Sequence, residues 1–285
     1  MGKFSTAKRV LQTQGVAGLF SAFKQKLEGS LQVFDPWDNW FCGKFVELRG
    51  NVVHIEGCSF NVNNPIISTR LKSRFLFNNY ETPEREAIQL FLDPSLPVVE
   101  LGGSVGVLAC LTNRKLTNPN QHVVVEANTV LIPLLQENRD RNKCSFTIEP
   151  YAYAYDHEYV VFHSNATDFL GSSTLTYRAA EPAVDTIVKD VVVKTINLQT
   201  ILDQHGFSRC TLICDIEGGE AELLKNESVL IRDKVSLFVL ELHEQFLGKE
   251  TTTRLLAQIK DLGFESVYKN MNTFVFQKNV NGIPL

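Results

Sequence analysis

An α/β fold organised around a parallel sheet is predicted by three observations in this chain. The first is LPVVELGGSVG, Leu96 to Gly106, where a short apolar run ends in an acid and three glycines follow, Gly102, Gly103 and Gly106. A buried strand turning sharply into a helix has this pattern, because glycines permit the tight turn and let a ligand approach the amides at the helix start. The second is QHVVVEAN, an apolar strand with Glu126 at its carboxyl end. The third is the return of such runs in CTLICDIEGG and VSLFVLELH, separated by segments of helical pattern, as in repeated βα units. Glu100 and Glu126 then stand at the ends of adjacent strands with a glycine turn between them, which describes a nucleoside-binding crevice.

Composition narrows the class. The chain has 285 residues, 44% hydrophobic and 21% charged, with a formal charge of -4. That length suits one large α/β domain with additions. Without a basic surplus to neutralise phosphates, a dedicated nucleic-acid binder is not expected. The six cysteines have no C-x-x-C spacing and lie mostly in apolar runs. They read as free thiols in a reducing, cytoplasmic compartment, with no zinc site. No stretch reaches the roughly 18 apolar residues of a membrane-spanning helix, and VAGLF is too interrupted to be a signal-peptide core.

Taken in order, Met1 to Lys26 reads as a weakly amphipathic helix carrying Lys3, Lys8, Arg9, Lys24 and Lys26. A surface helix or a partly disordered segment is the simpler reading, and a membrane-surface or partner contact the alternative. MGKFST also fits the loose myristoylation pattern at Gly2 and Thr6, which chance supplies easily. FDPWDNWF places Trp37 and Trp40 near aspartates; core packing is expected, with a sugar-stacking platform as the alternative. From Leu31 to Phe77, the pieces KFVELRG, NVVHIEG and STRLKSRFLF predict short antiparallel strands, with Asn61, Asn63 and Asn64 in a loop. Thr82 is the expected cap of a helix with Pro83 in its first turn and Ala87, Ile88, Phe91 and Leu92 inward. Tyr80 and Glu81 at its amino end are candidate substrate contacts.

Beyond the glycine turn, Val107 to Leu116 predicts a helix. NTVLIPLLQENRDRN predicts another, with Leu131, Leu134 and Leu135 inward and Pro133 early, where its missing amide is tolerated. CSFTIEPYAY is a third strand, YVVFHS an edge strand and GSSTLTY a polar loop. VVVKTINLQTILDQHG is an extended piece and a short helix. The fourth parallel strand, CTLIC, ends before Asp215 and Glu217, and the fifth ends in Glu241 and His243. TTTRLLAQIKDLGF is a helix with Leu255, Leu256, Ile259 and Leu262 on one face and Gly263 as its cap. ESVYKN and NTFVFQK close the sheet as an antiparallel pair.

The glycine spacing bears on the ligand. A dinucleotide site takes G-x-G-x-x-G, but here Ser104 holds the place of the second glycine. An acid at the loop entrance, Glu100, would also repel a pyrophosphate. It suits a ligand with a cationic amine or sulfonium, and S-adenosylmethionine (SAM) has both. A dinucleotide and a purely structural glycine turn remain the alternatives.

ELGGSVG, VVVEANTVLIPLLQENRDRN, CDIEGGEAELLKN and FVLELH, in this order, resemble the FkbM family of SAM-dependent methyltransferases over about Tyr80 to Lys278. That family typically carries D-x-G-A-N-x-G, F/V-x-x-E-P, K-I-D-x-E-G-x-E and a closing E-x-H. Glu100, Gly102 and Gly106 match the first motif, with Ser104 in place of asparagine. Glu126 matches the second, with Ala127 in place of proline. Asp215, Glu217, Gly218 and Glu220 match the third, although Ile213 replaces its lysine. The resemblance implies a class I methyltransferase fold: a seven-stranded, mostly parallel sheet in the order 3-2-1-4-5-7-6 with helices on both faces. The methyltransferase domain would be residues 80–285, with 1–79 a β/helical extension packed on it. It also implies O-methylation of a saccharide or small natural product. An N-, lipid- or protein-directed enzyme, or a degenerate binding module, is the alternative.

Under that reading Glu126 holds the ribose hydroxyls. Glu100, with the turn of Gly102, Gly103, Ser104 and Gly106, faces the methionine end and its ammonium. Ala127 and Asn128 follow the ribose acid along the adenosine, and Ala152 lies where adenine would sit. Asp215 and Glu217 stand beside the methionine portion and the acceptor. Glu220 reads equally as a helix-terminus charge or a functional acid. A sugar hydroxyl benefits from a base. His243, which titrates near neutrality at a strand end, is the candidate, oriented by Glu241. Asp215 or Glu241 could serve instead. His243 and Glu217 would also meet the substrate. The four groups Asp215, Glu217, Glu241 and His243 could gather around a divalent cation, but no fixed spacing demands it and no metal is assigned. The remaining histidines, His54, His122, His157, His163 and His205, are expected at the surface or in structural hydrogen bonds. A homodimer is the base-rate expectation.

Overall fold

The computed structural model describes residues 38–164, 175–176 and 189–278. The helix expected over Met1 to Lys26, the Gly2 pattern and Trp37 lie outside them. The chain begins with α1 (Trp40–Leu48), β1 (Val52–Ile55), β2 (Cys58–Asn61), α2 (Thr69–Leu76) and α3 (Thr82–Phe91). It continues through β3 (Val98–Leu101), α4 (Val107–Asn113), β4 (His122–Val125), α5 (Ile132–Arg141) and β5 (Thr147–Glu149). Next come β6 (Ala152–Tyr153), β7 (Tyr159–Ser164), β8 (Leu175–Thr176), β9 (Lys189–Ile196), α6 (Leu198–His205) and β10 (Cys210–Cys214). The last part holds α7 (Glu220–Lys234), β11 (Val235–Glu241), α8 (Glu244–Leu247), α9 (Lys249–Asp261), β12 (Phe264–Asn270) and β13 (Thr273–Lys278).

The main sheet runs β5-β4-β3-β10-β11-β13-β12. Its first five strands are parallel, and β13 runs antiparallel to both of its neighbours, β11 and β12. Counted over the strands of this sheet alone, the order is the expected 3-2-1-4-5-7-6, and the fold is that of a class I methyltransferase. Strands β3, β4 and β10 are buried at every position, which is why each is a continuous apolar run rather than an alternating one. One apolar cluster, including Leu101, Val125, Leu212 and Leu240, joins the sheet to α6, α7 and α9. Two others, one around Val105, Ala109, Val124 and Leu135 and one around Ala87, Ile88, Val98 and Val239, involve α3, α4 and α5. Register is tight at the carboxyl edge: Leu101 pairs with Val125 and with Cys214, and Cys214 pairs with Leu240. The residues that follow each strand therefore emerge side by side.

The segment before Tyr80 departs from expectation. Among its described residues only the hairpin β1–β2 is β-structure, and it forms its own two-stranded sheet. KFVELRG and STRLKSRFLF are largely helical, in α1 and α2. Asn39 caps the first, its side chain accepting from Phe41 N and Cys42 N, and Ser68 caps the second through Leu71 N. Gly43 lets the two helices meet, since a Cβ there would lie 1.6 Å from the Thr69 carbonyl oxygen. Glu47 ties them further, accepting from Lys44 (2.6 Å), Lys72 (3.2 Å) and Thr69 Oγ1 (2.8 Å), bonds that hold its carboxyl down near about 2. Trp40 is 47% exposed, so core packing does not explain it. Val46, Val53, Phe60, Leu71 and Phe75 nevertheless share one apolar cluster with Val105, Ala109 and Leu135 of the main unit.

Two further differences concern the middle of the chain. YVVFHS is not an edge of the main sheet: β7 pairs with β9 and β8 in a second sheet of order β6-β9-β7-β8. Leu175 and Thr176, expected in a loop, form β8. The second sheet is tied to the main unit through Glu227, at a kink in α7. Its carboxylate accepts from Tyr153 Oη, Tyr155 Oη (2.8 Å), Leu198 N (3.2 Å) and Gln199 N (3.1 Å). Thr82 is the first helical residue of α3 and not its cap. The preceding Glu81 adopts φ 51°. Among the described residues, no helix is long and apolar enough to cross a membrane.

Candidate functional site

The glycine turn leaves β3 at Leu101 and enters α4. Gly102 is required there twice over: its φ is 95°, and a Cβ would lie 2.0 Å from the Asp215 carbonyl oxygen. Ser104 adopts φ 47°, a left-handed conformation that costs a non-glycine residue energy and persists only where its surroundings impose it. Ser104 N donates to Glu126 Oε2 (2.6 Å), and Asn128 N donates to Glu126 Oε1 (2.7 Å). Backbone amides on both sides of the crevice thus hold the two carboxylate oxygens in place. Burial nonetheless pushes the Glu126 carboxyl up to about 7, partly offset by the amides of Asn128, Ser104 and Ala127.

Around the turn the expected contacts are distributed unevenly. Tyr80 is buried, stacks on Phe75 at 4.1 Å and bonds Ser104 Oγ at 2.8 Å. Glu81 Oε2 accepts from Leu108 N (3.0 Å) in the first turn of α4. Both residues brace the turn. Glu100 is sealed in the interior, 1% exposed, with its Oε2 at 3.3 Å from His122 Nε2. Burial raises the Glu100 carboxyl well above its ordinary value and lowers the His122 imidazole to about 3. Desolvation thus disfavours the charged form of both groups, and Glu100 faces His122 inside the sheet. Gly103 and Gly106 are buried within the turn, and Asn128 is buried, its Oδ1 accepting from Val130 N (3.1 Å). Ala152 belongs to the second sheet and has no exposed surface, while Ala127 and Tyr151 near it are partly exposed.

A second group of side chains gathers where β10 and β11 end. Asp215 follows β10, Glu241 closes β11, and His243 stands two residues beyond, at the start of α8. Glu217, at φ 44°, turns the chain towards α7, and Glu220 is the first residue of that helix. The ring of His243 is fixed by Glu220, which is fully buried: Nδ1 lies 2.5 Å from Glu220 Oε1. Its Nε2 lies 3.5 Å from Asp215 Oδ1, 3.8 Å from Glu217 Oε2 and 3.8 Å from Glu241 Oε1. The structure thus brings together all four residues expected at this edge. It also corrects the orienting group, which is Glu220 and not Glu241.

Charge is unbalanced here. Burial alone would lower the His243 pKa, but the Glu220 bond and the charges of Glu217, Glu220 and Glu241 raise it above its ordinary value. Burial and the neighbouring Glu84, Glu217 and Glu220 push Glu241 up to about 7, against the pull of His243. Asp215 is raised well above its usual range by burial and by Glu241, Glu84 and Glu217. Glu84 comes from α3, where its carboxylate bonds Thr273 Oγ1. Sequence reasoning missed it, since a glutamate in a first helical turn has an ordinary explanation there. For Glu220 the only signal was its place in the D-x-E-G-x-E run. Asp215, Glu241 and His243 also form a set that could hold a metal ion, with one donor atom from each all within 4.8 Å of one another.

The family model described as Methyltransferase FkbM domain matches residues 101–266. No curated protein matches the sequence. Among solved structures, a protein of the NADB-Rossmann superfamily from Streptococcus agalactiae is similar at 9% identity and a TM-score of 0.41, covering 71% of each chain. Precorrin-6y C5,15-methyltransferase from Geobacter metallireducens aligns at 11% identity and a TM-score of 0.39, over 69% of this chain and 86% of that one. The tRNA (uracil-54, C5)-methyltransferase of Pyrococcus abyssi, in complex with S-adenosyl-L-homocysteine, aligns at 12% identity and a TM-score of 0.39, over 80% of this chain and 44% of its own.

Proposed function

The chain belongs to the FkbM methyltransferase family, and we propose that it moves the methyl group of SAM to a hydroxyl of a saccharide or another small natural product. The observation that carries this reading is the composition of the carboxyl edge. The ion pairs of His243 are all to acids, namely Asp215, Glu217, Glu220 and Glu241. Such a site favours an uncharged acceptor that gives up a proton and repels a polyanion, so a nucleic-acid substrate fits it poorly. Methyl transfer is an in-line displacement at sulfur, in which alignment of oxygen, methyl and sulfur matters most. A poor nucleophile also needs its proton removed as it attacks, and the cluster supplies groups whose pKa values are raised towards neutrality.

The cofactor lies, in this reading, across the glycine turn, with Glu126 accepting from both ribose hydroxyls and Ala127 and Asn128 beside the adenosine. Glu217 and Asp215 stand beside the methionine portion and the acceptor. Residues 38–79 act as an extension packed on the catalytic unit. The free state of all six cysteines supports a reducing, cytoplasmic setting.

Glu126→Ala tests the cofactor assignment. It should weaken binding of S-adenosylhomocysteine by about 1.5 to 3 kcal/mol, the range for hydrogen bonds to charged groups. Calorimetry measures this, and unchanged affinity in a folded variant would remove Glu126 from the cofactor site. Isotope-labelled SAM, incubated with glycans and small metabolites and followed by mass gain, identifies the acceptor.

A further inference from the structure

We propose that Asp215, Glu241 and His243 form a divalent-cation site of manganese(II) type, and that the cation seats the acceptor oxygen. The second half of this proposal rests on the methyl-transfer reading; cation binding does not. The donor atoms come from points set by the sheet itself, one residue after β10, the last residue of β11 and two residues beyond it, and they lie within 4.8 Å of one another. Ligand bonds of about 2.1 Å place neighbouring donors about 3 Å apart and opposite ones about 4.2 Å apart. The 3.5 Å and 3.8 Å separations of His243 Nε2 from Asp215 and Glu241 fall within that span.

Two further observations point to a ligand. His243 is 4% exposed, and its only hydrogen bond described is from Nδ1 to Glu220. A buried carboxylate fixing one ring nitrogen, with the other aimed at a set of oxygen donors, is how metal-binding histidines are held, because the partner sets the tautomer and ring orientation. Separately, Asp215 Oδ1 is buried and has no hydrogen-bond partner, which is costly for a carboxylate oxygen unless something else meets it. The groups facing this point are Asp215, Glu217, Glu220 and Glu241, with Glu84 of α3 close by, against a single imidazole. A doubly charged cation offsets that excess. Two carboxylates and one imidazole, with no thiolate, match manganese better than the all-oxygen sets of magnesium or calcium. His243 is then a ligand, not the free base expected from the sequence, and the acceptor proton passes to a carboxylate of the cluster.

Chelator-treated, desalted full-length protein is titrated with manganese(II), and free ion is followed by its electron paramagnetic resonance signal. One ion per chain is expected. Glu241→Gln and His243→Ala should each weaken uptake at least about 10-fold, and Glu220→Gln, acting through the ring, about 10- to 100-fold. Glu149→Gln, which removes a carboxylate beside His205 elsewhere in the fold, should leave uptake unchanged. Circular dichroism checks folding, and S-adenosylhomocysteine affinity is measured on the same samples. A folded protein that takes up no manganese overturns the site, as does uptake indifferent to both Glu241→Gln and His243→Ala. Manganese uptake with these losses, in protein that fails to bind S-adenosylhomocysteine, upholds the site and rejects the cofactor reading instead.

Discussion

Two acid–histidine pairs sit in the same sheet and behave in opposite ways. Glu100 and His122 face each other at 3.3 Å inside the sheet, with side-chain exposures of 1% and 0%. Glu220 and His243 meet at 2.5 Å where the strands end, and the far nitrogen of that imidazole opens onto three more carboxylates. In the first pair desolvation decides: both groups are cheaper uncharged, and the imidazole is driven down to about 3. In the second, hydrogen bonding and the negative charges of the surrounding acids, opposite to that of an imidazolium, outweigh desolvation, and the imidazole is driven up. Residue type and separation alone do not tell a structural pair from a reactive one. What separates them is whether a third and fourth charge can reach the ring, and that depends on position along the strand.

The largest expected effect comes from the residue that joins the two regions. Gly102 follows β3, the strand that carries Glu100, and its missing Cβ admits the carbonyl of Asp215, the residue beside His243. Gly102→Ala combines a left-handed φ with a backbone collision and should cost about 3 kcal/mol or more in denaturant unfolding. A loss under about 1 kcal/mol would mean that the two strand ends are not locked together as described.

Next in size is the titration of the two rings in metal-free protein, followed by NMR. His243 should titrate above 6.5, and His122 should stay neutral until the pH approaches about 3. The signs for stability are opposite. The raised value of His243 contributes stability that is fully present below 6.5 and lost as pH rises through the folded value. The lowered value of His122 costs stability as pH falls from 6.5 towards about 3, where only the unfolded chain takes up the proton. Glu220→Gln should lower the His243 value, because it removes the charged partner of Nδ1. A His122 that titrates at its ordinary value would dissolve the contrast.

The smallest effect is expected at Ser104. Its φ of 47° is one that asparagine tolerates better than serine, which accounts physically for asparagine at this place in the family motif. Ser104→Asn should raise stability by about 0.5 to 1 kcal/mol, less whatever is lost with the Tyr80 hydroxyl bond. Ser104→Gly, which relieves the backbone and removes that bond, separates the two contributions in the same thermal melt.

The sequence by itself determined the sheet and its reactive edge. Strands buried on both faces must be continuous apolar runs, and a strand that turns directly into a helix beside a neighbour needs glycine, so VVELGGSVG, HVVVEAN, CTLICD and VSLFVLELH could be read without partners. The acids that end those runs, Glu126, Asp215 and Glu241, with His243, emerge at the carboxyl edge for the same reason. Tertiary structure alone decided the rest. KFVELRG and STRLKSRFLF are too short for their period to choose between helix and strand, and the close approach across Gly43 and the Glu47 ion pairs settle them as helices. YVVFHS had no local sign that its partners were β8 and β9 and not the main sheet. Glu100 carries the same motif position as a cofactor acid, yet His122, 22 positions along the chain, meets it inside the sheet. Glu220 and Glu84 look like ordinary helix-terminus acids until residues 23 and 189 positions away, His243 and Thr273, are folded against them. Burial and charge at a side chain are set by groups distant in sequence, and those groups are brought together only when the strands register.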